Sequence, residues 1–152
     1  MVAYDRSKQK RVSKSSRYNQ GAINPKTLKK LYESKKNEPV MYQSGLELQF
    51  IRYCESMSHI KHWANEPFSI KYVSRLDNNV HEYFPDFIRE NTNGRRALIE
   101  TKPWSQTVKP GMNDSLWAKK AWVQNCDKWR AAKEWCKQHD MDFVLVTEKF
   151  FG

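Results

Sequence analysis

Cysteines, acidic residues and long apolar runs are all scarce in this sequence. Among its 152 residues are three cysteines, Cys54, Cys126 and Cys136, too few and too dispersed for a disulfide framework or a zinc knuckle. No stretch approaches the roughly 18 consecutive apolar residues that a spanning helix needs, and the N-terminus lacks the apolar core of a signal peptide. These absences exclude a transmembrane protein and set the expectation of a cytoplasmic, reducing location rather than secretion. Acidic side chains number 17 against 27 lysines and arginines, a net charge of +10. With 39% hydrophobic and 13% aromatic residues, the chain is too apolar for a wholly disordered polybasic tail and long enough to bury a core.

The positive excess is uneven. Residues 1–40 hold 11 basic and 3 acidic side chains, and residues 41–152 hold 16 and 14. Clustered lysines and arginines release counterions when they meet phosphates, so the first quarter points to a polyanionic partner. The expected organisation is a basic N-terminal arm and short helix over residues 1–40, then one compact domain over 41–152. As far as about Gly21 the chain is polar and basic, with Lys8, Lys10, Arg11, Lys14 and Arg17, and reads as a mobile arm that orders on a partner. Asn24-Pro25 then resembles an N-cap followed by proline at the first helical position. Leu28, Leu31 and Tyr32 would form the stripe of a short basic helix that carries Lys29 and Lys30 and ends before Pro39.

Ser44 with Glu47 three residues later has the spacing of a capping box, and Leu46, Phe50, Ile51, Tyr53 and Cys54 recur near helical period, predicting a helix to about Met57. Residues 68–73 alternate as a strand, and Asp77-Asn78-Asn79 is turn chemistry before a second strand at 80–84. Another turn at 91–94 leads into a third strand at 96–102, stopped by Pro103. Asp114 or Ser115 caps a long helix with Trp117, Ala121, Cys126, Trp129, Ala132 and Cys136 as its buried stripe. The apolar run 143–146 suits a buried strand beside another. A helix crossing between two strands returns right-handed and parallel, so the expected fold is an α/β (α+β) mixed sheet in the order helix, three strands, helix, strand.

Two short motifs can carry chemistry. Residues two apart on a strand share a face, so Glu100 and Lys102 project together. If the neighbouring strand bends at Pro85, Asp86 approaches Glu100, and two carboxylates meet one ammonium. Hard oxygen ligands of this kind suit Mg²⁺, which keeps several waters and accepts phosphate oxygens, while the lysine could orient or help deprotonate an attacking water. Taken alone, Glu100 and Lys102 read equally as a solvated ion pair. Glu33-Ser34-Lys35 repeats their spacing but has no strand before it and no Pro-Asp partner. His59 and His62, three apart on an expected helix end, lack a third zinc ligand. His81 reads as a cleft or a strand-pairing residue, and Gln106 and Lys109 as loop contacts to a DNA backbone or as solvated side chains. The series Trp117, Trp122, Trp129 and Trp135 reads as helix packing with one ring left for a partner.

The arrangement resembles the PD-(D/E)xK nucleases, whose core is the restriction-endonuclease-like αβββαβ order. Closer still, it is similar to the TnsA endonuclease subunit of heteromeric transposases and to the head-completion proteins of tailed phages that share its nuclease core. The stretches that carry the likeness are Tyr42-Gln43-Ser44-Gly45-Leu46-Glu47, Trp63, Glu66-Pro67-Phe68, Tyr72, His81, Tyr83-Phe84-Pro85-Asp86-Phe87 and Leu98-Ile99-Glu100-Thr101-Lys102-Pro103. The resemblance implies that Glu47 is the acidic residue of the first helix, a position that reads equally as the capping partner of Ser44. It further implies Asp86 as central metal ligand, Glu100 and the Thr101 backbone carbonyl as further ligands, and Lys102 as catalytic lysine. Mg²⁺ is the implied cofactor, with Mn²⁺ as substitute, and double-stranded DNA the implied substrate. The chain ends after the fourth strand, without the additional C-terminal domain of the transposase subunit, and carries a basic arm. Both departures favour a phage protein that acts on packaged DNA, in the host cytoplasm or virion, with portal or head proteins as candidate partners. A noncatalytic DNA-binding or portal-binding plug is the alternative, and an RNA-binding protein is disfavoured by the lack of an aromatic RNA-recognition motif. The oligomeric state is left open.

Removing residues 1–21 is expected to weaken DNA binding and to flatten its salt dependence, the logarithmic slope falling by about one for each phosphate that the arm neutralises. Titrations at several salt concentrations measure this, and an unchanged slope would refute the arm's role.

Overall fold

A computed structural model describes residues 20–152; the arm lysines and arginines Lys8, Lys10, Arg11, Lys14 and Arg17 lie outside the described residues. The first described elements are two short strands, β1 (Gly21–Ile23) and β2 (Val40–Tyr42), paired antiparallel with Gly21 opposite Tyr42. A truncation that spares this ladder therefore stops at residue 19.

Between them the expected short basic helix does not form. Asn24 does cap, accepting from the Lys26 amide at 3.0 Å, but the turn it starts is a single 3₁₀ turn, Pro25–Thr27, and Leu28 is already extended. The reason is competition for backbone groups. The amides of Lys29 and Lys30 donate to the Glu55 carboxylate at 2.7 and 2.9 Å, and the Lys30 carbonyl accepts from the Trp63 amide. A short segment bears the full nucleation cost of a helix for few internal bonds, so these tertiary partners win. Leu28 and Leu31 are buried in the main core, and Leu31 bridges to Trp63 in parallel.

The helix α1 (Gly45–Ser56) matches the expected one, with Ser44 as N-cap. It buries Phe50, Ile51 and Cys54, and the Phe50 ring lies 4.9 Å from that of Phe87. The next element, β3 (Ile60–Asn65), corrects the expected helix end at His59 and His62: His62 is a strand residue opposite Glu90. A register shift between Ile60 and His62 breaks the apolar/polar alternation that would have revealed the strand.

The hairpin of β4 (Ile70–Val73) and β5 (Val80–Tyr83) forms where expected, with Asn78 at φ 58° in its turn, but it is a two-stranded sheet of its own. The main sheet takes its second strand from β6 (Phe87–Asn91), then β7 (Arg96–Thr101) and last β8 (Asp142–Val146), in the order β3-β6-β7-β8. The sequence order of helix, three strands, helix, strand is preserved, with the hairpin inserted between the first two strands of the sheet. Asn91 through Gly94, with Gly94 at φ 88°, turns the chain from β6 into β7. β7 is central, and Ala97, Leu98 and Ile99 are inaccessible to solvent, as a strand covered on both faces requires.

Ser115 caps α2 (Leu116–Gln138), accepting from the Ala118 amide at 3.1 Å. Trp129, Ala132 and Cys136 are buried as expected. Trp117 is 79% exposed and Ala121 and Cys126 only half-buried, because the first turns of α2 overhang the body. The chain returns through β8 (Asp142–Val146), which pairs parallel to β7, so the sheet is mixed as expected. It is an edge strand and only half-buried over 143–145. Among the described residues no helix is long and apolar enough to cross a membrane.

One buried charge fastens the hairpin to α2. Asp127, 4% exposed, accepts from the Arg75 amide at 2.9 Å and from its Nε at 2.6 Å. Asp127→Ala is expected to lower stability by about 1–3 kcal/mol, the cost of leaving such donors without their acceptor; urea unfolding measures it, and a change below about 0.5 kcal/mol would refute the clamp.

Candidate active site

The antiparallel register of β6 and β7 places Phe87 opposite Ile99. One step further along each strand this brings Asp86 to Glu100. Asp86 sits in the bend between β5 and β6, after the fully buried Pro85, and both carboxylates are more than nine-tenths buried. Such burial is tolerable only with partners. The Thr101 amide and Thr101 Oγ1 both donate to Asp86 Oδ2 at 2.8 Å. Glu100 Oε2 accepts a short hydrogen bond from the Tyr83 hydroxyl, and the Lys102 ammonium lies 3.9 Å from Oε1.

Glu47 comes to the same place from the first turn of α1. Its amide donates to Ser44 Oγ at 3.1 Å, and its carboxylate accepts a short bond from the Gln43 amide. The reciprocal cap therefore forms, displaced by one residue from the Ser44 amide. Glu47, Asp86, Glu100, Thr101 and Lys102 line one pocket of about 350 Å³ with Ser44, Gly45, Leu46, Pro103 and Gln106. The wall from α1 is a helix N-terminus, whose partial positive charge favours a bound anion.

The other sequence-derived candidates fall elsewhere. Lys109 lines a neighbouring cavity that shares Gln106. Lys29 and Lys30 stand at the far end of α1, beside Glu55, with the Lys30 ammonium turned onto the Met57 carbonyl. His81 stays on the hairpin, 2.8 Å from Asp77.

Two supporting residues lie in stretches that carry the family likeness, but the sequence assigns neither of them a role at the site. Tyr83, at the end of the hairpin, holds Glu100. Burial first, then the charges of Glu100 and Asp86, push its phenol well above the ordinary 10. In the sequence it stands three residues before Asp86, within the stretch Tyr83-Phe84-Pro85-Asp86-Phe87, and nothing in that spacing says that it reaches Glu100. Glu66 is the second: at φ 40° it occupies the left-handed region, and its amide donates to the Asp86 carbonyl at 2.8 Å while its own carbonyl accepts from Lys35 at 3.1 Å. Burial pulls the Lys35 ammonium down to about 8, against the opposing pull of Glu66 and Glu38. Strain of this kind persists where surrounding bonds enforce it, and here it fixes the backbone that carries Asp86.

Among the described residues no three acidic, histidine or cysteine side chains converge as a ready-made metal cage. The donors at hand are the paired carboxylates of Asp86 and Glu100. They do not fit zinc, which takes three or four nitrogen, sulfur or carboxylate ligands. They do fit Mg²⁺ or Mn²⁺, since Mg²⁺ is commonly held by one or two carboxylates with water and substrate phosphates.

A buried carboxylate pair, an adjacent lysine and an anion-favouring helix end thus meet in one pocket. The family model "TnsA-like endonuclease N terminal" matches residues 57–148, which span the whole main sheet, the hairpin and α2, together with Asp86, Glu100, Thr101 and Lys102. The chain belongs to this TnsA-like endonuclease family and carries the PD-(D/E)xK type of core. Glu47 and α1 precede the matched stretch. No curated protein matches the chain.

Tyr83 yields a titration test. Its folded pKa is raised above the unfolded value, so its contribution to stability is complete below pH 10 and is lost as pH rises beyond it. Because burial also pushes Tyr32 up to about 12, the readout is the difference between proteins: absorbance of the phenolate is expected to show a tyrosine that ionises only with alkaline unfolding and that is missing in Tyr83→Phe, and an unaltered late phase in Tyr83→Phe would contradict the buried bond to Glu100.

Proposed function

We propose that the chain is a metal-dependent endonuclease that hydrolyses phosphodiester bonds of duplex DNA. The observation that supports this most directly is the meeting of Asp86 and Glu100, both buried, in one pocket with the Lys102 ammonium. Asp86 and Glu100, with the Thr101 carbonyl, would hold Mg²⁺ or Mn²⁺. When bound, the ion supplies Lewis-acid polarisation of a phosphoryl oxygen and of a water.

The chain's own groups do the rest. Thr101 keeps the Asp86 carboxylate aimed through two donors, and Tyr83 keeps that of Glu100 aimed through one. Lys102 Nζ, an ammonium donor at the edge of the pair, orients the attacking water and stabilises the growing negative charge. The first turn of α1 and Gln106 receive the phosphate backbone. Glu47 stabilises the helix start and adds a third carboxylate to the pocket, from which a water can be oriented. Because neither short basic segment has a groove-reading motif, contact is with phosphates rather than base edges. The biological setting supported by the resemblance is a phage head-completion protein acting on packaged DNA.

Purified protein with supercoiled or linear duplex DNA and Mg²⁺ or Mn²⁺ is expected to cut, and chelation to stop it. Asp86→Asn and Lys102→Ala are each expected to lower the rate by about 100-fold or more. Intact DNA after prolonged incubation of the unaltered protein with either metal would reject the enzyme and favour the noncatalytic plug.

A further inference from the structure

Next to the acidic pocket, with Gln106 as their common wall, lies a second cavity of about 230 Å³. One side of it is the overhanging start of α2. At about 100° per residue, Trp117 and Trp122 stand roughly 140° apart around the helix axis, and Ala118, Ala121 and Asn125 fall between them. Small residues thus make a floor between two indoles, and the helix presents a slot there rather than a filled face. Trp122 is steadied by an edge contact with Trp129, ring centroids 6.0 Å apart. Trp117 is 79% exposed and Val108, which lines the same cavity, is 43% exposed, so the slot opens to solvent as an apolar surface. Lys109 stands in the facing loop. Asp114, the acidic residue of the lining, is turned to the Gly111 amide at 2.6 Å.

We propose that this slot receives an unstacked nucleobase of the strand being cut, stacked on Trp117, with Asn125 at its polar edge and Lys109 at the adjoining phosphate. This rests on the nuclease function proposed above. A nucleotide is recognised by an aromatic face, an amide and a cation side by side, and those three groups line this cavity. Continuity with the acidic pocket selects nucleic acid over a protein partner: a strand whose phosphate sits between Asp86 and Gln106 passes the mouth of the slot. The substrate class that follows is DNA with unpaired nucleotides beside the cleavage point, such as frayed ends, overhangs or junctions.

The test measures binding of the full chain in chelator, where no DNA is cut, by fluorescence anisotropy. The probes are a single-stranded oligonucleotide, the same strand with abasic sites, and a blunt duplex. The base-bearing strand is expected to bind about tenfold more tightly than the abasic one. Trp117→Ala is expected to erase that difference, Trp117→Phe to keep most of it, and duplex affinity to stay within about twofold in both. Equal affinity for the two strands, or a difference that survives Trp117→Ala, overturns the proposal. If Trp117→Ala instead abolishes self-association in sedimentation while the strand difference stands, the slot is a protein contact and the proposal is likewise overturned. Failure of the unaltered chain to cut any DNA rejects the nuclease function separately, since strand affinities are read without catalysis.

Discussion

Two carboxylates buried side by side are the constraint around which this molecule is arranged. Neither Asp86 nor Glu100 would remain ionised in a dry interior without partners, and each draws on a different part of the chain. Thr101 serves Asp86 from the neighbouring strand, requiring nothing beyond the register of β6 and β7. Glu100 needs a donor from outside the sheet, and the inserted hairpin delivers it as Tyr83. The hairpin in turn must be anchored, which is what Asp127 does through Arg75. A chain of dependence thus runs from α2 through the hairpin to the carboxylate beside Lys102.

Much of this was legible in the residues, and the failures have physical causes. Period and capping revealed α1 and α2, because Ser44 and Ser115 both cap and both helices are long enough for their pattern to show. The Pro-Asp and Glu-Thr-Lys motifs pointed to one pocket because strand alternation and an antiparallel turn leave little choice. What failed was the assignment of strands to sheets. The bulge hides β3 and the bend at Pro85 hides β6, so the sequence pattern alone reads as if the hairpin supplied the first two strands of the main sheet. The segment around Leu28 and Leu31 has helical spacing, yet Glu55 and Trp63 take its backbone groups. Such tertiary capture leaves no local signal. Trp117 fits the helix stripe by period yet is exposed, because periodicity cannot tell where a helix outruns the body it packs on.

The distribution of charge also takes on a spatial meaning. The basic excess lies in residues 1–40, while the pocket itself is acidic. Lys29 and Lys30 use their backbone groups to hold the segment against α1, so part of the basic quarter is structural. Among the described residues the positive influences near the pocket include Lys102, the first turn of α1, Lys128 over the Tyr83 ring, and Lys109 in the neighbouring cavity.

The connection between Asp86 and Glu100 bears on folding order. They face each other across a tight hairpin whose loop is only a few residues, while β3 reaches β6 across the whole inserted β4–β5 unit. Closing a short loop costs less entropy than closing a long one, and contacts of low sequence separation form faster. The β6–β7 hairpin can therefore assemble its two acids before the sheet edge is zipped shut, so the spacing of the acids is a property of one supersecondary unit. Drift in the arm, in α1 or in the inserted hairpin can alter how that pair is held and what reaches it without altering the distance between its strands.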